Sequence, residues 1–243
     1  MPTLVIVSIL IFSLQKLLPG DAAIALAGEE GDTAVVAAIR AKYHLDQPLA
    51  VQYGLWIGKV VRGDFGDSLR SRIPVADLIA SKLPVTLELA TCSMLIALVI
   101  GVPAGVLSAT RQGRPLDIAA NFVALSGLSV PHFWLGIMLI LLFAVELGWL
   151  PASGYVPPWD DLRRNLTTIL LPSIVLGTGV AGVMMRHARS AMLQTLHADY
   201  VRTARAKSVP EPLVVLKHAL RNALIPVITL GAIEFGRLLS GAV

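Results

Sequence analysis

An all-α, polytopic membrane protein is the fold class this sequence predicts, on three observations. The 243 residues are 55% hydrophobic and 15% charged, where soluble domains carry about 25% charged residues. Their mean hydropathy is +0.73. The apolar residues gather into five segments, 3–18, 86–109, 118–147, 166–185 and 224–243, and the last four are each long enough to cross a bilayer as helix. Together these values argue against a water-soluble domain.

The first segment lacks the basic leader and small-residue cleavage site of a signal peptide, so it reads as a spanning helix. Its sixteen residues make about 24 Å of helix against a hydrocarbon core of about 30 Å, which predicts further residues upstream. A polar insert, 19–84, follows, with amphipathic stretches at 33–43 and 49–61 that predict short helices on one membrane face. Segments two and four carry Gly101-Val-Pro-Ala-Gly105 and Gly177-Thr-Gly-Val-Ala-Gly182; such small residues let membrane helices approach closely. Segment three is interrupted by Ser129-Val-Pro-His-Phe-Trp134, which reads either as a simple kink or as freed carbonyls and aromatics beside a translocation path. With no internal repeat, low-complexity tract or linker, 1–243 reads as one membrane domain carrying the insert.

Orientation follows from the loops. Residues 111–117 and 186–221 hold nine Lys or Arg against three acids, whereas the insert and residues 148–165 hold nine basic and ten acidic residues over about twice the length. The first pair of loops is therefore expected in the cytoplasm and the second pair outside, with five crossings from an inside amino terminus. The formal charge of +4 thus serves topology, not nucleic-acid binding. The single cysteine, Cys92, allows no disulfide framework and no Cys-based zinc site, and the five histidines are scattered. Gly54-Leu-Trp-Ile-Gly58-Lys59-Val60 has the wrong spacing for a phosphate loop and lacks its Ser or Thr.

Residues 186–221 form the most informative stretch. Residues 186–208 predict a helix lying on the inner membrane face, Ser208-Val-Pro-Glu-Pro212 breaks it, and 213–222 restart it. One reading is a basic segment that touches anionic lipid. The other is a docking element, in which small Ala204 and Ala206 admit a partner's groove and Arg202, Arg205 and Lys207 pair with acidic walls. Among ionisable residues at membrane depth, Glu88 and Glu146 sit near segment ends and read as interfacial. Glu234 and Arg237, spaced i,i+3, either neutralise each other or line a polar cavity facing a partner. By residue chemistry alone, an ATP-independent carrier or channel stays open, while missing nucleophile and metal motifs disfavour an intramembrane enzyme.

The run Asp199-Tyr-Val-Arg-Thr-Ala-Arg-Ala-Lys followed by His218-Ala-Leu-Arg-Asn-Ala-Leu-Ile-Pro226 resembles the coupling loop of binding-protein-dependent ABC importer permeases of the dipeptide, oligopeptide and nickel branch. Leu17-Leu-Pro-Gly-Asp21, Leu45-Asp-Gln-Pro-Leu49, Gly63-Asp-Phe-Gly66, Leu83-Pro-Val-Thr-Leu-Glu-Leu-Ala90, Ser129-Val-Pro-His-Phe-Trp-Leu-Gly136 and Leu147-Gly-Trp-Leu-Pro-Ala-Ser-Gly-Tyr155 agree in the same order, across essentially the whole chain. Ser208 stands where that family usually has a loop glycine, and a positive-φ turn there costs about 1 kcal/mol relative to glycine.

The resemblance implies a type I ABC importer permease fold with six spans, of which five lie in this chain, so continuation past Val243 is expected. It implies a permease subunit of the bacterial inner membrane, in contact with membrane lipid and not with nucleic acid. That subunit would form half of a path for peptides or a related small solute and would hold no cofactor of its own. The implied partners are a second homologous permease, two cytoplasmic ABC ATPases holding ATP and Mg, and an extracytoplasmic substrate-binding protein. ATPase coupling falls to Tyr200, Arg202, Thr203, Ala204, Arg205, Ala206, Lys207, Ser208 and Val209. The substrate-pathway candidates are Ser129, Pro131, Phe133, Trp134, Glu234 and Arg237.

Overall fold

An apolar chain must satisfy its main-chain groups internally, and helices do so within one segment. The computed structural model describes residues 2–15, 20–27, 32–68 and 71–241. Among them the only β-type pairing is an isolated antiparallel bridge between Asp67 and Pro74. The chain groups into two units, residues 1–81 and 82–243.

The first unit holds α1 (Pro2–Gln15), α2 (Ala22–Ala27), α3 (Thr33–Lys42) and α4 (Leu49–Val60). Both amphipathic stretches of the insert are thus helices. Tyr53 of α4 shares a 2.8 Å hydrogen bond with Ser8 and packs, with Trp56, on Phe12 of α1. The Asp21 carboxylate accepts from the Ala23 N–H at 2.8 Å, opening α2, and also pairs with Arg40 of α3. These two donors hold its carboxyl below the usual carboxylate range. Residues 17–19 of the motif ending at Asp21, and 16–18 of the first apolar segment, lie outside the described residues.

The second unit is organised around α8 (Leu162–Leu196), which is packed by α6 (Pro115–Ser129), α7 (His132–Ile140) and α11 (Leu220–Gly241). Asp161 caps α8 by accepting from the Arg164 N–H at 3.0 Å. The helix α5 (Val75–Thr110) runs beside α8 at backbone contact. A Cβ at Gly101 would fall 2.6 Å from the Ala181 carbonyl oxygen, one at Gly105 2.6 Å from that of Met185, and one at Gly177 2.9 Å from that of Ser93. Of the glycines singled out in the sequence, Gly101, Gly105 and Gly177 are where α5 and α8 touch, while Gly179 faces His132 of α7 and Gly182 faces Ala124 of α6. Increasing numbers pair with increasing numbers, so α5 and α8 run parallel.

Several boundaries differ from expectation. Helix α5 starts at Val75, inside the stretch read as the polar insert, and passes through both Pro84 and Pro103, because a proline removes one helix bond without forbidding the next turn. Segment three is broken. Helix α6 ends at Ser129, α7 starts at His132 and widens into a π-helical turn over Leu141–Glu146, and the two halves bend by 95°. Pro131 donates no hydrogen bond and holds Val130 extended, at ψ 123°. Finally, residues 186–196 do not form one helix with 197–208; they complete α8.

Among the described residues, three helices are long and apolar enough to cross a membrane: Val75–Thr110, Leu162–Leu196 and Glu211–Gly241. The bent pair makes a fourth if both halves cross as one. The described part of α1 has 14 residues, about 21 Å, which falls short of a 30 Å core. The supported count is therefore three or four, against five expected from the sequence.

Candidate functional site

The cationic stretch after α8 is built as an elbow. Helix α8 stops at Leu196, His197 and Ala198 turn the chain, and α9 (Asp199–Ala206) leads away. Ser208 then takes φ +57°, the left-handed conformation that glycine adopts most readily. This closes α9 with two bonds, Ser208 N–H to the Arg205 carbonyl at 2.9 Å and Val209 N–H to the Ala204 carbonyl at 3.2 Å. The chain restarts at α10 (Glu211–Leu213) and continues through a π-helical turn, Val214–Ala219, into α11.

The two faces of α9 have different partners. Val201 and Ala204 are buried in the same apolar cluster as Leu196, Val214, Ala219 and Ala223, and half-buried Val209 packs against it. Tyr200, Arg202, Thr203, Ala206, Lys207 and Ser208 are exposed. Ala204, expected to meet a partner's groove, instead fills this chain's own core, because the alternation that exposes 202, 203 and 206 turns 201 and 204 inward. Arg205 also differs from expectation. Its guanidinium holds Glu211 through bonds of 2.7 and 3.1 Å and reaches the Leu196 carbonyl at 3.4 Å, stapling α8, α9 and α10. The carboxylate of Glu211 raises its pKa further. Tyr200 accepts from Asn222 of α11 at 2.9 Å. Arg202 stands 3.6 Å from Asp199 with its side chain 75% exposed.

The pathway candidates form two groups. Ser129, Pro131, Phe133 and Trp134 line one shallow cleft with Ser126 and Val130 at the bend. The Ser129 hydroxyl donates to its own helix, at Leu125 O, 2.9 Å away. The ring of His132 sits against Gly179 of α8 and holds the bend there. Glu234 is buried and accepts from Arg237 at 2.8 Å, while the Arg237 side chain itself is 73% exposed. No hydrogen bond or ion pair joins the two groups among the described residues.

Sequence reasoning missed a polar cluster where the carboxyl-terminal parts of α5 and α8 meet the first turns of α6. Asp117, 5% exposed, accepts from Arg189 twice, Nε at 2.8 Å and Nη2 at 2.9 Å. It also accepts from Asn121 at 2.8 Å, from the Gly113 N–H at 3.0 Å and from the Ser108 hydroxyl. Arg189 donates to Ser108 Oγ at 3.0 Å as well. In the sequence these two charges enter only as loop counts, since 72 residues separate them. The one local signal is the position of Asp117 in the first turn of α6 after Pro115, where an acid suits the helix dipole. Nearer the middle of α5, Tyr155 donates to Glu88 at 2.8 Å. Burial, aided by that carboxylate, pushes the phenol up to about 12.

Two sequence families match. The family described as binding-protein-dependent transport system inner membrane component covers residues 101–243, and its N-terminal companion, described as binding-protein-dependent transport system membrane component, N-term, covers residues 1–90. The chain is 47% identical over 242 residues to the glutathione transport system permease protein GsiC of Escherichia coli K12, across 100% of this chain and 76% of that protein. The same figures hold for GsiC of Shigella dysenteriae serotype 1, and the identity is 46% for that of Shigella boydii serotype 4.

Proposed function

Because the chain belongs to the inner-membrane component family of binding-protein-dependent transport systems, the permeases of ABC importers, we propose that it forms half of an import path for peptides or a related small solute. It is a multi-pass inner-membrane transport subunit of the peptide and nickel branch, not an enzyme. Its relatives' name makes glutathione, a tripeptide, the first substrate to test. In this reading the chain crosses five times, the insert 19–84 faces outward toward a substrate-binding protein, and a homologous permease completes the path. ATP and Mg act in two cytoplasmic ATPase subunits.

The two-faced elbow carries the proposal. Val201 and Ala204 root α9 in the permease, while Arg202, Thr203, Ala206 and Lys207 stand free of that core on one surface. A helix so rooted transmits a push instead of folding away from it, and its cations suit an acidic groove on an ATPase. The test is co-purification of the ATPases with the permease and ATP-dependent uptake of labelled glutathione or a dipeptide. Arg202→Glu with Lys207→Glu is expected to lose both while the permease still inserts. Unchanged ATPase capture by that double variant, or uptake by the permease reconstituted alone, would count against the coupling role.

A further inference from the structure

The cluster around Asp117 is the most heavily bonded polar site in the second unit, and neither the elbow's surface nor the pathway candidates use it. Its members come from four places: Ser108 at the end of α5, Gly113 in the turn, Asp117 and Asn121 on α6, and Arg189 on α8. Both carboxylate oxygens are filled. Oδ1 accepts from Arg189, Asn121 and Ser108, and Oδ2 from Arg189 and the turn. A planar fork against a planar carboxylate fixes angle as well as distance.

Its place in the fold gives that geometry a use. Arg189 lies seven residues before the last residue of α8, Leu196, which is about 10 Å of helix. Arg205 of the elbow bonds the Leu196 carbonyl, so α8 joins the elbow directly to the cluster. Above the cluster, the close approaches of α5 and α8 carry no charge pair: Gly101 meets Ala181 and Met184, Gly105 meets Met185 and Ala188, and Gly177 meets Ser93 and Ile96. Such uncharged faces are smooth and resist sliding weakly, whereas a bidentate ion pair has one register.

We propose that the Asp117–Arg189 pair is the joint that makes α5, α6 and α8 one lever, so that displacement of the elbow reaches the turn between α5 and α6. The proposal rests on the elbow being the ATPase contact. Asp117 and Arg189 are positioning residues: they touch neither substrate nor nucleotide. Asn121 and Ser108 hold the carboxylate in the orientation that the fork requires. Without the pair, α8 moves with the elbow while α5 and α6 lag, and hydrolysis continues without transport.

The test uses the whole complex, with partner permease, ATPases and binding protein, in a background with Cys92→Ser. Spin labels are placed at exposed His197, at the elbow, and at exposed Arg114, at the start of α6. In the otherwise unchanged protein the label distance is expected to stay the same between the nucleotide-free and the vanadate-trapped state. In Arg189→Gln and in Asp117→Asn it is expected to change on trapping. ATP hydrolysis is expected to persist in both while labelled glutathione uptake per ATP falls about tenfold, a typical coupling magnitude. Arg189→Lys, which keeps the charge but not the fork, is expected to fall between. A label distance that ignores these substitutions, or uptake and hydrolysis falling in parallel, overturns the joint. If a variant fails to assemble, Asn121→Ala, which leaves both charges in place, is read by the same distances. Failure of the unsubstituted complex to hold its ATPases would instead overturn the elbow's assignment.

Discussion

The two ends of the α5–α8 pair handle their charges differently. At one end, the inner one in the proposed orientation, Asp117 and Arg189 sit in a cluster that binds three helices and a turn. At the outer end Glu88 receives one hydrogen bond, from Tyr155 in the loop before α8. Nearby, the hydroxyls of Ser93 on α5 and Ser173 on α8 are buried without a hydrogen-bond partner among the described residues. The inner end is held by a bidentate ion pair, and the outer end by one tyrosine hydrogen bond beside the packing of Gly177 on Ser93 and Ile96.

Substitutions can break that contrast or sharpen it. The largest effect is expected from Gly105→Ala. Its methyl would lie 2.6 Å from the Met185 carbonyl and 2.7 Å from Ala188 Cβ, one turn from the clamp. Overpacking against backbone costs about 2–3 kcal/mol, read as a lower melting temperature of the purified complex. Gly177→Ala, whose methyl would meet Ser93 O at 2.9 Å on the outer half, is expected to cost less. Equal losses would mean that the two ends are equally constrained.

A smaller effect, of opposite sign, is expected at the elbow. Ser208 holds φ +57°, and Ser208→Gly relieves a strain of about 1 kcal/mol, raising the melting temperature without loss of uptake. No gain would show that the turn is unstrained. The smallest effect belongs to the outer contact. Tyr155→Phe removes one hydrogen bond, worth about 0.5–1 kcal/mol at a half-buried site. The phenol rises from its ordinary 10 to about 12 on folding, so its contribution is complete below pH 10 and is lost as pH climbs through 12. Melting temperatures of the parent protein should fall faster than those of Tyr155→Phe between pH 10 and 12. Parallel curves would remove Tyr155 as the outer tether.

The elbow shows how far the residues could be read in advance. Its break at Ser208, its positive-φ turn and its exposed Arg202, Thr203, Ala206 and Lys207 were legible, because prolines, charge and a displaced glycine act locally. The roles of Ala204 and Arg205 were not. A small residue and a cation on a docking helix look identical whether they face a partner or their own core, and the choice depends on where Val214, Ala219 and Glu211 arrive from the other side. The extent of α8 past Met185 was hidden for a related reason. Hydropathy ends where the membrane ends, but the helix does not.

Sequence by itself determined the helical membrane class, the small-residue stretches where α5 and α8 approach neighbours, the two insert helices, the break around Pro131 and the family. All of these are properties of composition, of local backbone preference, or of motifs in fixed order. Only the tertiary structure decided which charges meet. Asp117 and Arg189 are 72 residues apart, and no local preference encodes their pairing. It exists because Gly105 brings α8 to backbone contact with α5, Gly182 brings it to α6 at Ala124, and the turn at Gly113 returns Asp117 to the same place.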